Sequence, residues 1–536
     1  MDISHDYLYK LRLIQYHAGD IRLKSLSDLE WEDRKKIFVF WPLIVILLCT
    51  IVYYKSQTTC PLDSDQLTNM TIVEYFQNPD SYAHDPLWGN RDLFLPLNLG
   101  VFVFYTLSRV APIEEAIPAA LTCIVFLYLI ISFAVFHKLS QSSSLAICLS
   151  LLSCLPVGMT SFTEWGVGYS PSFLSRTIFV PFVPPIFYAF LNLLNAPTVR
   201  KGMLFYFSLG LLAFVHQISS FYLFLSFLMC SFLLRPRLLK VHLASLVSWV
   251  AAISPLLIYT VSHYSFASDI VVAPSFLQKW IEFRFFWAFY PTVTRAALES
   301  SMRHPFYILI LLIVIFGFRK NPHVKHLTIT TVAVITGGVT IYGIQFFFYN
   351  VFGIPFKFVD IFRGLRFLPF IAFLSVGVVW QDLETCFRRV HRLRSAVLVA
   401  LPLLCVLVFT LQYYSRAPES SADTCSDPIF AAVHELPPNA LIATDNIENL
   451  RYCGKRSVYV IFRDGATAYY NGTDQFLLWV RRIVLNANFF KAPNKELAQQ
   501  LKQDGVTHLF IEGELPPSPL WEKVHCSSRY CVYKLE

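Results

Sequence analysis

The chain has 536 residues, of which 55% are hydrophobic, 16% are aromatic and only 15% are charged. Soluble domains carry about 25% charged residues, so an assembly of soluble domains is excluded, and so are disordered and small disulfide-rich chains. The formal net charge of +8 comes from Lys and Arg in short loops between apolar runs. That distribution encodes membrane topology and does not indicate nucleic-acid binding. We therefore predict a mainly α, polytopic helical membrane protein that sits in the lipid bilayer.

The N-terminal segment, residues 1–37, is polar and basic and contains no apolar region followed by a cleavage site, so no removable signal peptide is predicted. Its positive charge predicts a cytoplasmic N-terminus. The first predicted span, Phe38 to Tyr54, is followed by an outer loop at 55–94.

The transmembrane domain is predicted to cover residues 38–414, with about 11–13 helices and a second outer loop at 263–304. After the first span, apolar runs roughly long enough to cross a bilayer occur at 95–110, 117–137, 145–160, 171–193, 203–217, 218–234, 241–262, 305–318, 327–348, 365–381 and 396–414. The basic loops at 200–201, 235–240, 319–326 and 388–394 are predicted to be cytoplasmic, which leaves the C-terminus outside. Three candidates lie between 95 and 160, where this alternation requires an even number, and the weakest of them is 95–110.

The tail, residues 415–536, changes composition and predicts a soluble, extracytoplasmic α/β domain. Strands are predicted at 440–443, 457–462, 507–511, 521–526 and 530–535, and helices at 474–486 and 494–503. Its four cysteines are even in number, as expected of a disulfide-bonded domain in an oxidising compartment. We predict the pairs Cys526–Cys531 and Cys425–Cys453, with metal ligation as the alternative.

Carboxylates in the first outer loop are the candidate catalytic groups. Asp63 and Asp65 follow the first span closely, and Asp85 lies farther along the loop and is kept in reserve. A carboxylate close to the membrane surface can act as a general base on a hydroxyl group or bind a divalent cation such as Mg²⁺ or Mn²⁺. No cofactor is otherwise implied. The alternatives are a solvated acidic loop and capping of a helix at 66–76.

Cationic groups near the outer ends of later spans are candidate ligands for a donor phosphate. Arg363 and Arg366 share a helical face at i, i+3 and could clamp a phosphate, or pair with lipid phosphates. Arg176 lies inside an apolar run, where an ionisable side chain is a functional hypothesis and snorkelling is the alternative. His216 lies at the outer end of a span, where a structural hydrogen-bonding role is the alternative.

The outer loop 263–304 is aromatic and of mixed charge, which predicts an amphipathic interfacial helix. Lys279, Arg284 and Trp287 are its candidate contacts with a lipid or acceptor groove. Simple packing on the membrane surface is the alternative.

An acidic outer loop soon after the first span, here DSDQLTNMTIVEYF followed by SYAHDPL, precedes many spans and a final soluble domain. This order resembles the GT-C superfamily of membrane glycosyltransferases. Three further stretches, SPSFLSRTIFVPFVPPIFYAFL, FVHQISSFYLF and IFRGLRFLPFIAFL, resemble poorly characterised bacterial GT-C-like membrane proteins.

The resemblance implies transfer of a sugar from a polyprenyl-phosphate donor to an acceptor on the outer, periplasmic or lumenal side. Asp63 or Asp65 matches the position of the family's general base, and cationic groups would hold the donor phosphate. The loop lacks an adjacent Asp-Asp or Asp-Glu pair, and the tail lacks a WWD-like motif. The second departure argues against oligosaccharyltransferase activity.

Two other classes of function stay open. A transporter could use Arg176 and His216 along a substrate path, although no inverted repeat is visible. The second open class is a non-catalytic scaffold protein with a GT-C-like body. For the enzyme we predict an inverting reaction, a lipid-linked donor and an unknown acceptor, with the bacterial inner membrane favoured over the endoplasmic reticulum.

Overall fold

A computed structural model of the chain shows a large helical region followed by a small α/β domain. It describes residues 31–57, 64–87, 99–155, 175–263, 305–352, 367–387, 391–414, 425–445, 447–462, 464–465, 468 and 473–536. The mainly α fold with a C-terminal sheet that the sequence predicts is confirmed.

The helical region closely follows the predicted apolar runs. Its helices are α1 (Trp31–Gln57), α2 (Ser64–Gln77), α3 (Leu99–Val110), α4 (Ile113–Ser140), α5 (Ser143–Cys154), α6 (Ser175–Phe179), α7 (Val183–Asn195), α8 (Val199–Leu211), α9 (Gln217–Leu234), α10 (Leu239–His263), α11 (Pro305–Gly317), α12 (Pro322–Phe352), α13 (Leu368–Phe387) and α14 (His391–Tyr414). Within the described residues, four helical stretches are long and apolar enough to cross a membrane: Glu115–Ser140, Ser175–Asn195, Gln217–Leu234 and Leu239–Tyr259. The protein is accordingly a membrane protein.

The length of helix α3 is relevant to the odd number of spans that are predicted between residues 95 and 160. With 12 residues it is roughly 18 Å long, well short of a hydrocarbon core of about 30 Å. It lies beside α2, where Gln77 Nε2 donates to Ser108 Oγ at 2.8 Å and the rings of Phe76 and Tyr105 are 6.5 Å apart. The length of α3 and its contacts with α2 describe how this helix packs, and the number of spans between 95 and 160 stays a prediction.

Small residues allow close packing inside the helical region. Helices α8 and α10 approach so closely that a Cβ at Gly210 would lie 2.6 Å from Cβ of Ala252, and one at Gly202 would lie 2.8 Å from Oγ of Ser245. Such contacts between backbones are typical of helix pairs in membranes, where no hydrophobic effect drives association. Large side chains at either glycine would force the two helices apart.

Helices α1 and α14 end on the same side of the helical region. The rings of Tyr53, near the end of α1, and Tyr413, near the end of α14, are 5.2 Å apart in an edge-to-face contact. The chain leaves α1 for the first loop and leaves α14 for the C-terminal domain. The first loop and the C-terminal domain therefore start from the same end of the bundle.

The C-terminal domain contains a five-stranded sheet in the order β2-β1-β3-β5-β4. Its elements are α15 (Ile429–His434), β1 (Leu441–Thr444), α16 (Leu450–Gly454), β2 (Ser457–Val458), α17 (Thr473–Lys491), α18 (Lys495–Gln503), β3 (His508–Glu512), β4 (Trp521–Cys526) and β5 (Tyr530–Leu535). Strand β1 pairs in parallel with β2 and β3, and β5 pairs antiparallel with β3 and β4. The predicted strand at 457–462 is shorter in the structure because the chain turns at Ile461, whose N–H donates to Asp464 Oδ2.

Residues of the first loop are part of the core of this domain. Ile72, Tyr75, Tyr82 and Leu87 are buried in one cluster with apolar side chains from β1, α17, α18 and β3. The boundary at residue 415 predicted from composition therefore separates segments that share one core.

Both predicted disulfides are formed, Cys425–Cys453 with Cα atoms 5.2 Å apart and Cys526–Cys531 with Cα atoms 4.1 Å apart. The first ties the chain shortly after α14 to α16. The second closes the hairpin of β4 and β5.

Removal of the two bridges should have unequal effects. The Cys425–Cys453 bridge closes a 28-residue separation and the Cys526–Cys531 bridge only 5 residues. Chain entropy predicts losses of about 3–4 and about 2 kcal/mol in the free energy of unfolding for the paired Cys→Ala variants. Thermal unfolding of the purified protein measures the order, and non-reducing mass spectrometry checks the pairing. Free thiols at all four positions in the wild type would overturn the assignment.

Candidate functional site

A buried charge cluster connects the first loop to the C-terminal domain. Arg451, in the short helix α16, donates through Nε to Oδ2 of Asp85 at 2.8 Å. Its Nη1 and Nη2 donate to Oδ1 and Oδ2 of Asp464, each at 2.8 Å. Tyr82 completes the contact, because its hydroxyl donates to the backbone carbonyl of Arg451 at 3.2 Å. One guanidinium thus bridges carboxylates from two distant parts of the chain.

The cluster excludes water. Arg451 is 4% exposed, Asp85 2% and Asp464 7%. Burial alone would lower the pKa of Arg451, but Asp464 and Asp85 outweigh it and the pKa is raised. The planar fork of Arg suits this geometry, since it offers three donors in fixed directions to two carboxylates. A charge left unpaired here would have no water to replace its lost partner.

The contacts of Asp85 are therefore those of a residue with a structural role. Besides Arg451, its carboxylate accepts hydrogen bonds from the backbone N–H groups of Leu87 at 3.0 Å and Val458 at 3.0 Å. A general base must come within hydrogen-bond reach of a substrate hydroxyl. A side chain that is fully buried in the protein and bonded to backbone amides does not meet this requirement, which argues against Asp85 as the reserve base.

The two leading candidates lie at the start of α2. Asp65 is in the first turn of this helix, which begins at Ser64, and Asp63 lies outside the described residues. The other end of α2 is attached to the C-terminal domain, where Nζ of Lys455 is 3.3 Å from Oε1 of Glu74. The position of Asp65 thus depends on a helix held by that domain.

Arg176 and His216 lie on neighbouring elements. Arg176 is half-buried in α6, one turn before Phe179, and the ring of Phe179 is 6.2 Å from that of His216. Helix α6 also lies beside α3, which packs against α2. His216 is the N-cap of α9, since its Nδ1 accepts from the N–H of Ser219 at 3.2 Å. The structural role considered for His216 is therefore present.

Arg363 and Arg366, like Lys279, Arg284 and Trp287, lie outside the described residues. The residue that follows Arg366 is described, however. Phe367 is buried and its ring lies 6.4 Å from that of Tyr222 in α9 and 6.2 Å from that of Phe187 in α7. The chain therefore enters α13 beside the helix that His216 caps.

Potential metal ligands are few in the part of the chain that the structure describes. The grouping found there comprises Glu514, Cys526 and Cys531. Both cysteines are consumed in a disulfide, so this group does not offer thiolate ligands. A divalent cation at the acidic first loop stays a prediction.

The contacts of Arg451 with Asp85 and Asp464 are the feature that the sequence does not reveal. Arg451 and Asp464 stand in ordinary polar surroundings, ENLRYCG and FRDGA, without a motif. Asp85 is 366 residues from Arg451 in the chain. Only the fold brings them together.

No family model matches the chain, and no curated protein matches it. Among solved structures the chain is similar to the crystal structure of ArnT from Cupriavidus metallidurans bound to undecaprenyl phosphate. The match has 12% sequence identity and a TM-score of 0.49, and it covers 92% of this chain and 98% of that chain. With a TM-score below 0.5, the likeness says nothing about the donor, the acceptor or the activity of this chain.

Replacement of Arg451 should strongly destabilise the contact between the first loop and the C-terminal domain. In Arg451→Met two buried carboxylates lose their partner, which costs about 3–5 kcal/mol. We expect a lower unfolding temperature and faster amide hydrogen exchange in residues 64–87. Arg451→Lys should not restore the wild type, because Lys lacks the fork.

The matched control is Arg529→Gln. Arg529 also pairs with a carboxylate, Glu512, but both side chains are 60% exposed, and such pairs contribute about 0–1 kcal/mol. Equal, small effects in the two variants would contradict a special role for Arg451.

Proposed function

We propose that the protein is an inverting membrane glycosyltransferase that moves a sugar from a polyprenyl-phosphate donor to an acceptor on the side of the C-terminal domain. The observation that supports the proposal is that the helices with candidate acidic and cationic residues are linked by contacts within the helical region, and we propose that these residues converge on one site. The helices are α2, α6, α9 and α13.

The convergence is supported by a chain of contacts. Helix α2 packs on α3, and α3 lies beside α6. The ring contact of Phe179 with His216 joins α6 to α9, and that of Phe367 with Tyr222 joins α9 to α13. A candidate base and candidate phosphate ligands would therefore belong to a single site. A donor whose phosphate is held at the membrane surface by its lipid fits such a site.

The proposed reaction needs one base and one phosphate site on opposite sides of the anomeric carbon. The acceptor oxygen forms the new bond to that carbon while the bond to the phosphate oxygen breaks, and the configuration inverts. Asp63 or Asp65 takes the proton of the acceptor hydroxyl, and the polyprenyl phosphate leaves with the bonding electron pair. Arg363, Arg366 and Arg176 would stabilise its negative charge through charge-assisted hydrogen bonds.

A structural role competes with the catalytic one for both carboxylates. Helix α2 begins at Ser64, and an acidic side chain in the first turn or at the N-cap favours the helix dipole. That role predicts a loss of about 1 kcal/mol in stability on substitution and no special effect on turnover. The two roles are therefore distinguished by the effect of the substitution on turnover and not by its effect on stability.

The proposal is tested with the purified full-length protein and a panel of polyprenyl-phosphate sugars. Release of polyprenyl phosphate that depends on an added acceptor supports a glycosyltransferase. Absence of turnover with every donor, in protein that is folded by its unfolding temperature, would favour the non-catalytic scaffold.

Asp→Asn substitution should identify the base. We expect turnover to fall about 10²–10⁴-fold in either Asp63→Asn or Asp65→Asn, because proton removal in the transition state contributes that much. Asp80→Asn is the matched control, as Asp80 is an exposed carboxylate of the same loop. Near-wild-type rates in both variants would place the base elsewhere.

The cationic clamp is tested by donor affinity. Arg366→Ala should weaken binding of the donor by about 1.5–3 kcal/mol, the range for a hydrogen bond to a charged group. Equilibrium binding of a fluorescent polyprenyl phosphate measures the effect. Unchanged affinity in the folded variant would exclude Arg366 from the phosphate site.

A further inference from the structure

The end of the helical region opposite the C-terminal domain carries a second cluster of chemistry-bearing residues. The end of α9 lies beside the start of α12, where Cys230 Sγ and Thr330 Oγ1 are 3.5 Å apart. The loop before α12 contacts the last turns of α13, because Asn321 Nδ2 donates to Asp382 Oδ2 at 2.8 Å. The connections α9–α10 and α11–α12 therefore lie at the same end as the last turns of α13.

The cluster is strongly positive. It contains Arg235, Arg237, Lys240, Arg319, Lys320, His323, Lys325 and His326. Among the described residues, the salt bridges lie in the C-terminal domain and its contact with the first loop, and none includes a member of this cluster. Asp382, in the last turns of α13, accepts a hydrogen bond from the side-chain amide of Asn321. The cations at this end therefore have no anionic partner within the described part of the chain.

His326 is a half-buried member of the cluster. Its Nδ1 is inaccessible to solvent and has no hydrogen-bond partner. Burial lowers the pKa of His326, and the positive charges of His323, Arg235 and Lys325 lower it further. A buried polar nitrogen without a partner costs about 1–3 kcal/mol. A phosphate group beside this ring would offset the surrounding positive charge.

The loop that carries Arg235 is itself fixed. His242, only 7% exposed, makes a 2.8 Å hydrogen bond through Nε2 with the backbone carbonyl of Arg235, and its ring lies 5.7 Å from that of Phe232. The backbone at Arg235 is thus fixed, and Arg237 lies two residues further along the same exposed loop.

We propose that the basic surface where the end of α9 meets the start of α12 binds a phosphate group, supplied by the headgroup of an anionic lipid, with Arg235, Lys325 and His326 as its contacts. Lys and Arg residues that only determine membrane topology need not lie close together, and they need no buried histidine nitrogen without a partner beside them. Basic pockets between membrane helices are suited to anionic headgroups, and each juxtamembrane Lys or Arg contributes about 1 kcal/mol. The site lies away from the proposed sugar-transfer site and does not depend on it.

The test measures binding of anionic lipid to the full-length protein in nanodiscs. The probe is phosphatidylglycerol in phosphatidylcholine, and bound lipid is read by native mass spectrometry after gentle release. We expect Arg235→Gln to weaken binding of phosphatidylglycerol about fivefold, the factor for roughly one juxtamembrane charge. Arg237→Gln removes one positive charge from the same loop and should change the binding of phosphatidylglycerol less than twofold. His326→Phe, which keeps a ring but removes the nitrogens, should also weaken binding.

The outcomes separate a built site from a general basic surface. Equal losses in Arg235→Gln and Arg237→Gln would overturn the proposal in favour of a diffuse positive face. Binding of phosphatidylglycerol no tighter than that of phosphatidylcholine would also overturn it. Added inorganic phosphate distinguishes the two sources of the group: no competition at millimolar phosphate supports the lipid headgroup, whereas full competition shows a site for soluble phosphate and overturns the lipid assignment.

Discussion

The ion pair of Arg451 with Asp85 joins two segments that leave the helical region separately. Because the pair is buried and completed by Asp464, the loop cannot move away from the C-terminal domain without exposing or unpairing charge. The Cys425–Cys453 bridge fixes the neighbouring residues of α16 at the same place. The position of α2, and with it Asp65, follows from this constraint.

In the proposed glycosyltransferase, this arrangement gives the soluble domain a role in positioning the base. An acceptor and a lipid-linked donor react only when the base is held in a narrow range of positions. A loop that is fixed by a folded domain loses less conformational entropy in reaching that geometry. Apolar side chains of the loop, such as Tyr75 and Tyr82, complete the core of that domain. Loop and domain are therefore expected to fold as one unit.

The charged residues at the two ends of the helical region differ in how they are paired. Near the C-terminal domain several of the described charges form buried or surface pairs, including Lys455 with Glu74. At the opposite end the cations of the α9–α10 and α11–α12 connections have no ion pair within the described residues. Pairing gives the first end a defined conformation, while unpaired charge leaves the other end able to attract anions.

The sequence by itself determined the elements whose signal is local. Apolar runs located helices such as α4 and α9 within a few residues, alternation located β4 and β5, and an even cysteine count led to both disulfides. Only the tertiary structure decided that Asp85 pairs with Arg451 and that α3 rests on α2. Those contacts join residues far apart in the chain, and no periodicity or spacing records which distant partner a buried charge will meet.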